Sequence, residues 1–107
     1  MPTGPYLSIT PAVACRLVVT VTFDAQTSGT SSDWGSTSPQ AYIVMTQGST
    51  VLYSSPQPLS TTRLRFAMQE AFDVAASALT VELYIGTTVG RNASAWNVNI
   101  QAEQIKR

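Results

Sequence analysis

The chain has 107 residues, with six Lys and Arg against six Asp and Glu, one cysteine and no histidine. Charged residues make up 11%, against roughly 25% in an ordinary domain, and Ser and Thr supply about a quarter of the positions. Scattered arginines and the single Lys106 exclude a nucleic-acid binder, which needs clustered cations on phosphate, and the lack of histidine removes Ser-His-Asp, Cys-His and histidine-metal chemistry.

The length suits one domain with one modest core. Met1 to Pro5 holds two prolines and a glycine, which oppose regular structure. Residues 1–11 therefore read as an N-terminal arm over the domain or a neighbour, and 12–107 as a single domain. The arm has neither a basic stretch nor an apolar run, so it does not read as a secretion signal. No segment approaches the roughly 20 apolar residues of a membrane helix, and no membrane insertion is expected.

Tyr6 to Thr10 is a short strand closed by Pro11. Ala14 to Phe23 is a strong one, with Cys15, Leu17, Val19, Val21 and Phe23 on one face and Arg16, Val18, Thr20 and Thr22 on the other. Alternation places Cys15 as a small buried hydrophobe, and a lone cysteine forms no intrachain disulfide. Asp24 to Pro39 reads as a long loop in which Trp34 is the only large apolar group. Loops of that length are often functional.

Ala41 to Gln47 and Thr50 to Ser54 form a hairpin about Gly48-Ser49, where glycine supplies the turn, and Tyr42 and Tyr53 flank it. Ser55-Pro-Gln-Pro58 breaks the sheet, and Thr62 to Met68 restarts it. Gln69 to Ala78 reads as a loop or short edge strand, since Phe72 and Val74 keep the period-2 beat. Leu79 to Ile85 is a strand with Thr80, Glu82 and Tyr84 on its polar face. Gly86 to Asn92 is a loop, and a last strand runs from about Ala95 to Ile105. There Trp96 alternates in phase with Val98 and Ile100, which favours a place in the core over a ligand platform. Seven or eight short strands with turn chemistry between them predict an all-β, antiparallel β-sandwich or jelly roll, with a small barrel as the alternative.

Catalytic inventory is thin. Asp24, Asp33, Glu70, Asp73, Glu82 and Glu103 are the only carboxylate side chains, and no spacing nominates two of them as an acid–base pair. Glu82 and Glu103 read as solvated face residues. A calcium site from Asp24 and Asp33 lacks a spaced acidic motif, and Gly86-Thr-Thr-Val-Gly90 lacks the Lys-Ser/Thr of a phosphate loop. Asn92-Ala-Ser94 matches a glycosylation sequon by chance. No catalytic residue, cofactor or metal is expected, and the chain does not read as an enzyme. The candidate contact residues are Trp34, Tyr42, Tyr53 and Tyr84, because large aromatics dominate interface and sugar-stacking energetics. Val18, Tyr84, Ile105 and the arm are the expected surface for self-association.

The Pro-bearing N-terminal arm, the Ser/Thr/Ala/Val-rich strands and the closing Trp96-Asn-Val-Asn-Ile-Gln-Ala-Glu-Gln-Ile105 together resemble small jelly-roll proteins of tailed-bacteriophage virions, of the capsid decoration (cement) or tail and fibre head type. The resemblance implies a homo-oligomer, often a trimer, made in the host cytoplasm and bound to capsid or tail proteins of the virion, which it stabilises or decorates. The pairing of Leu79-Thr-Val-Glu-Leu83 with Trp96-Asn-Val-Asn-Ile100 is also similar to the last strands of sugar-binding jelly rolls, so a carbohydrate-binding module, with a glycan as ligand, is the alternative.

Overall fold

The computed structural model describes residues 2–27, 39–60, 62–86 and 93–106. Eight strands follow one another: β1 (Pro2–Ile9), β2 (Cys15–Thr27), β3 (Gln40–Gln47), β4 (Thr50–Tyr53), β5 (Gln57–Pro58), β6 (Leu64–Val74), β7 (Leu79–Gly86) and β8 (Ala93–Lys106). They form two antiparallel sheets. One has the order β1-β7-β3-β4 with β5 also on β3, and the other has the order β6-β2-β8. No helix occurs among the described residues, so the all-β expectation holds.

Strand β2 carries the strictest alternation. Cys15, Leu17, Val19, Val21, Phe23, Ala25 and Thr27 are all buried, while Arg16, Val18, Thr20, Thr22, Asp24 and Gln26 point the other way. The strand runs past Phe23 into what the composition marks as loop, because Ala25 and Thr27 keep the beat. Both find partners on β8, Ala95 and Ala93. The apolar faces of the two sheets meet in one core, where β2, β6 and β8 supply Leu17, Val21, Phe23, Phe72 and Ile100, and β3 and β7 supply Ile43, Met45, Val81 and Leu83. Phe23 and Phe66 stack across adjacent strands at 5.5 Å. The long dimension of 47 Å matches the 14 residues of β8 at about 3.4 Å each, so the β2–β8 ladder spans the molecule.

The segment from Pro2 is not an arm free of regular structure. It is β1, paired with β7 through Tyr6↔Glu82 and Ile9↔Leu79, with an irregularity between Pro2 and Tyr6. Proline is tolerated there because β1 is an edge strand whose outer side needs no ladder donor. Leu7 and Ile9 pack against the core, and Pro11 is fully buried.

Gln69 to Ala78 resolves into the second half of β6 and a tight turn. Phe72 and Val74 are buried in phase with Met68, and β6 is an edge, as the beat suggests. The turn is clamped by Gln47, whose Nε2 donates to the carbonyls of Ala75 and Ser77 at 2.9 Å and whose Oε1 accepts from the Ala75 N–H at 3.0 Å. The hairpin forms as expected, with Gly48 at φ 60°, a region that glycine enters without steric cost. The break after β4 is stabilised by Ser54, whose buried Oγ accepts from the Ile43 N–H at 2.8 Å and donates to the Ser55 carbonyl at 3.0 Å. A side chain thus replaces a ladder partner where the chain leaves the sheet. Gln57 and Pro58 then rejoin β3, where the sequence reads only a break.

The largest departure is on β8. Thr22 pairs with Asn99 but Asp24 with Trp96, so three residues of β8 span the distance of two on β2. This is a β-bulge centred on Asn97, the only described non-glycine residue with positive φ (54°). One extra residue inverts the side-chain parity. Val98 and Ile100 face the core, and so do Ala93 and Ala95 beyond the bulge, while Trp96 is turned to the outer face and is 37% exposed. The expectation of a core Trp96 is therefore corrected, because strict alternation across Asn97 does not occur.

Leu17→Ala on the doubly paired central strand should cost about 2–5 kcal/mol, read as a lower denaturation midpoint with an unchanged m-value. Deleting residues 2–11 strips the core of Leu7, Ile9 and Pro11 and should lower the melting temperature by at least about 8 °C; an unchanged melting temperature would show that β1 is not part of the cooperative unit.

Candidate functional site

Outward-facing residues of the larger sheet gather all four tyrosines of the chain, Tyr6, Tyr42, Tyr53 and Tyr84. The registers place them in two rows. Tyr6 stands opposite Glu82, Glu82 opposite Val44, and Val44 opposite Tyr53, a line across β1, β7, β3 and β4. In the next row Tyr84 stands opposite Tyr42. Same-face neighbours on adjacent strands are close enough for their side chains to touch. Tyr42 and Tyr53 meet edge to face at 6.5 Å and 78°, and the Tyr42 hydroxyl donates to Gln40 Oε1 at 2.8 Å.

Tyr6 and Tyr53 are 65% and 63% exposed and Tyr84 40%, while Val44, between Glu82 and Tyr53 in the first row, is only 7% exposed although its sheet face is the outer one. The face is a patch of aromatic rings with an apolar floor, edged by Val51, also exposed. Of the candidate contact residues, Tyr42, Tyr53 and Tyr84 are brought together, and Trp34 lies outside the described residues, as does Asp33. Tyr6 lies in the strand read from Tyr6 to Thr10 but is not among the candidate contact residues, because nothing local places that strand beside the other tyrosines. Its own alternation, Tyr6 and Ser8 against Leu7 and Ile9, was the available signal. Val18 and Ile105 sit on the outer face of the other sheet, so they do not share a surface with Tyr84.

That other face holds a second cluster. Asp24 Oδ2 accepts from Asn97 Nδ2 at 2.8 Å and faces Arg63 Nη2 at 3.4 Å, and its Oδ1 faces Arg65 Nη1 at 3.2 Å. The Arg63 guanidinium lies over the Trp96 ring at 4.2 Å, a cation–π geometry. Hydrogen bonds from Asn97 and Arg65, and then Arg63, hold the Asp24 carboxyl below its ordinary value of 3.8, against the opposing effect of partial desolvation. Asp24 is thus a partner of arginines in this fold, and among the described residues no group of three or more Asp, Glu, His or Cys could hold a metal.

A cleft of about 270 Å³ opens between the β4–β5 break and β6, lined by Ser54, Ser55, Gln57, Gln69 and Glu70. Glu70 is the single carboxylate among its described lining residues. Glu103 is exposed and Glu82 half-exposed, as expected of face residues. Cys15 is buried and forms no disulfide.

Comparison of the chain with protein-family models, with curated proteins and with solved structures gives no match, so the functional reading rests on these residues.

A carboxylate with a depressed folded-state pKa adds stability above its unfolded value and loses it as pH falls through the folded one. The stability margin of the native protein over Asp24→Asn should therefore narrow as pH drops below 3.8. Thermal melts between about pH 6 and pH 2 check it; a margin that stays constant with pH would mean that Asp24 contributes no charge-dependent stability.

Proposed function

We propose that the chain is a non-enzymatic structural protein that acts by docking its tyrosine face onto another protein surface, in the manner of a subunit that decorates or completes a virion. The finer fold reading is a β-sandwich with jelly-roll winding. It is supported by the shared core and by a chain that changes sheets at every connection except β3–β4–β5.

The observation that carries the function is the convergence of Tyr6, Tyr42, Tyr53 and Tyr84 on one outer face. Interfaces are enriched in tyrosine at their desolvated centres, where rigid rings cover apolar area at low entropic cost. The apolar floor at Val44 and the exposed rim at Val51 fit a protein partner. The 78° angle between the Tyr42 and Tyr53 rings supports the same choice, because edge-to-face rings do not form the coplanar platform on which a sugar chain lies flat. The expected partners are identical copies and then a capsid or tail lattice. A subunit that binds only the assembled form stabilises it by mass action over many sites, and self-association through one patch would follow closed symmetry.

Light scattering after size exclusion, on the full chain at micromolar concentration, is the test. The wild type should run as a discrete oligomer, and Tyr53→Ala with Tyr84→Ala should shift it to monomer with a weakening of at least about tenfold, equivalent to about 1.4 kcal/mol, while the melting temperature of the fold is kept. A monomeric wild type that instead retains a glycan through these tyrosines would replace the assembly reading with the carbohydrate-binding one.

A further inference from the structure

We infer that the outer face of the β6-β2-β8 sheet is a binding site for an acidic oligosaccharide, with Trp96, Arg63 and Arg65 receiving a carboxylate-bearing sugar ring. The inference is independent of the tyrosine face, which belongs to the other sheet.

It begins with the bulge. Without an extra residue Trp96 would share the face of Val98 and Ile100 and be covered; the bulge at Asn97 turns it outward, at the cost of holding a non-glycine residue at φ 54°. Bulges commonly re-aim a side chain beside a functional site, and backbone strain kept in a stable strand points to use. The re-aimed ring does not stand alone. Arg63 packs on it, and Arg63 and Arg65 share the single carboxylate of Asp24. Among the described residues two guanidinia face one carboxylate, which leaves a net positive charge, and both arginine side chains are more than half exposed. A guanidinium fork matches a carboxylate bidentately, and the part of the indole that Arg63 leaves uncovered offers apolar surface to the C–H face of a pyranose.

The rest of the face extends the site. Moving along β2 from Asp24, Thr22 stands opposite Asn99 and Thr20 opposite Gln101, and Gln69 Nε2 donates to Thr20 Oγ1 at 3.2 Å. A depression of about 150 Å³ lies over Thr20, Gln69 and Gln101, with Val18 and the Glu103 carboxylate also in its lining. These amides and hydroxyls are the groups that exchange hydrogen bonds with sugar hydroxyls. From Asp24 to Thr20 the track is about 13 Å long, room for two or three sugar rings. The far end reverses the charge balance, with Asp73 and Glu103 against Arg16. An acidic ring is therefore directed to the Trp96 end.

Isothermal titration of the full chain with trigalacturonate, with a neutral trigalactoside and with sulfate alone tests the inference. Trigalacturonate should bind, the neutral trimer at least about tenfold more weakly, and sulfate without saturation at comparable concentration. Trp96→Ala and Arg65→Gln should each lower trigalacturonate affinity by about tenfold, and Trp96→Phe should retain most of it. Absence of trigalacturonate binding, equal binding of sulfate, or affinity unaffected by both Trp96→Ala and Arg65→Gln would overturn the proposal. Because Trp96→Phe keeps an aromatic ring in place, a fold defect in Trp96→Ala would not hide the answer.

Discussion

Everything in this fold hangs on the central strand of the three-stranded sheet. Strand β2 is paired on both sides for nearly its whole length, and its inward residues are buried along the entire run from Cys15 to Thr27. In such a strand a slip of one residue would send the whole apolar set into water. The register of β6 and β8 is therefore tightly specified, and the core is closed by β3 and β7 presenting their own alternating residues. With no disulfide and few charges, the domain has burial and ladder hydrogen bonds to hold it.

The same constraint explains why the two outer faces differ. Alternation forces every second residue outward, so what those residues are becomes the surface chemistry of the protein. On the larger sheet they are four tyrosines about Val44, with Glu82, Ser8, Thr46 and Thr80 among them. On the smaller sheet they are threonines, amides and arginines, plus a tryptophan that the bulge at Asn97 delivers there. One face suits a dry protein contact, and the other suits a polar, partly charged ligand.

How much was legible beforehand follows from how local each signal is. The faces of β2 and β7, the Gly48 hairpin and the buried Cys15 are all read from residues within one strand or turn. Tyr42, Tyr53 and Tyr84 could be chosen individually as contact residues, but their convergence with Tyr6 depends on the order β1-β7-β3-β4, which no local pattern states. The part of β1 from Tyr6 to Ile9 is legible as alternation, whereas the segment from Pro2 to Pro5 reads as irregular because only an edge strand accommodates its prolines. Trp96 was misplaced because alternation says nothing about where a single extra residue will be inserted, and the signal of the bulge is spatial: Asn97 bonds to Asp24, 73 residues away in sequence.

By itself, then, the amino-acid order determined that this chain is built from antiparallel strands, which side chains of most strands go inward, and that histidine-based catalysis is absent. These are properties of period and composition, which act over a few residues. Tertiary structure alone decided which strands are neighbours, that the N-terminal segment is the edge of a sheet, and that the tyrosines and the Trp96–arginine cluster occupy opposite surfaces. Those outcomes depend on sheet order and on one bulge, and both arise only when distant segments compete to satisfy the same backbone hydrogen bonds.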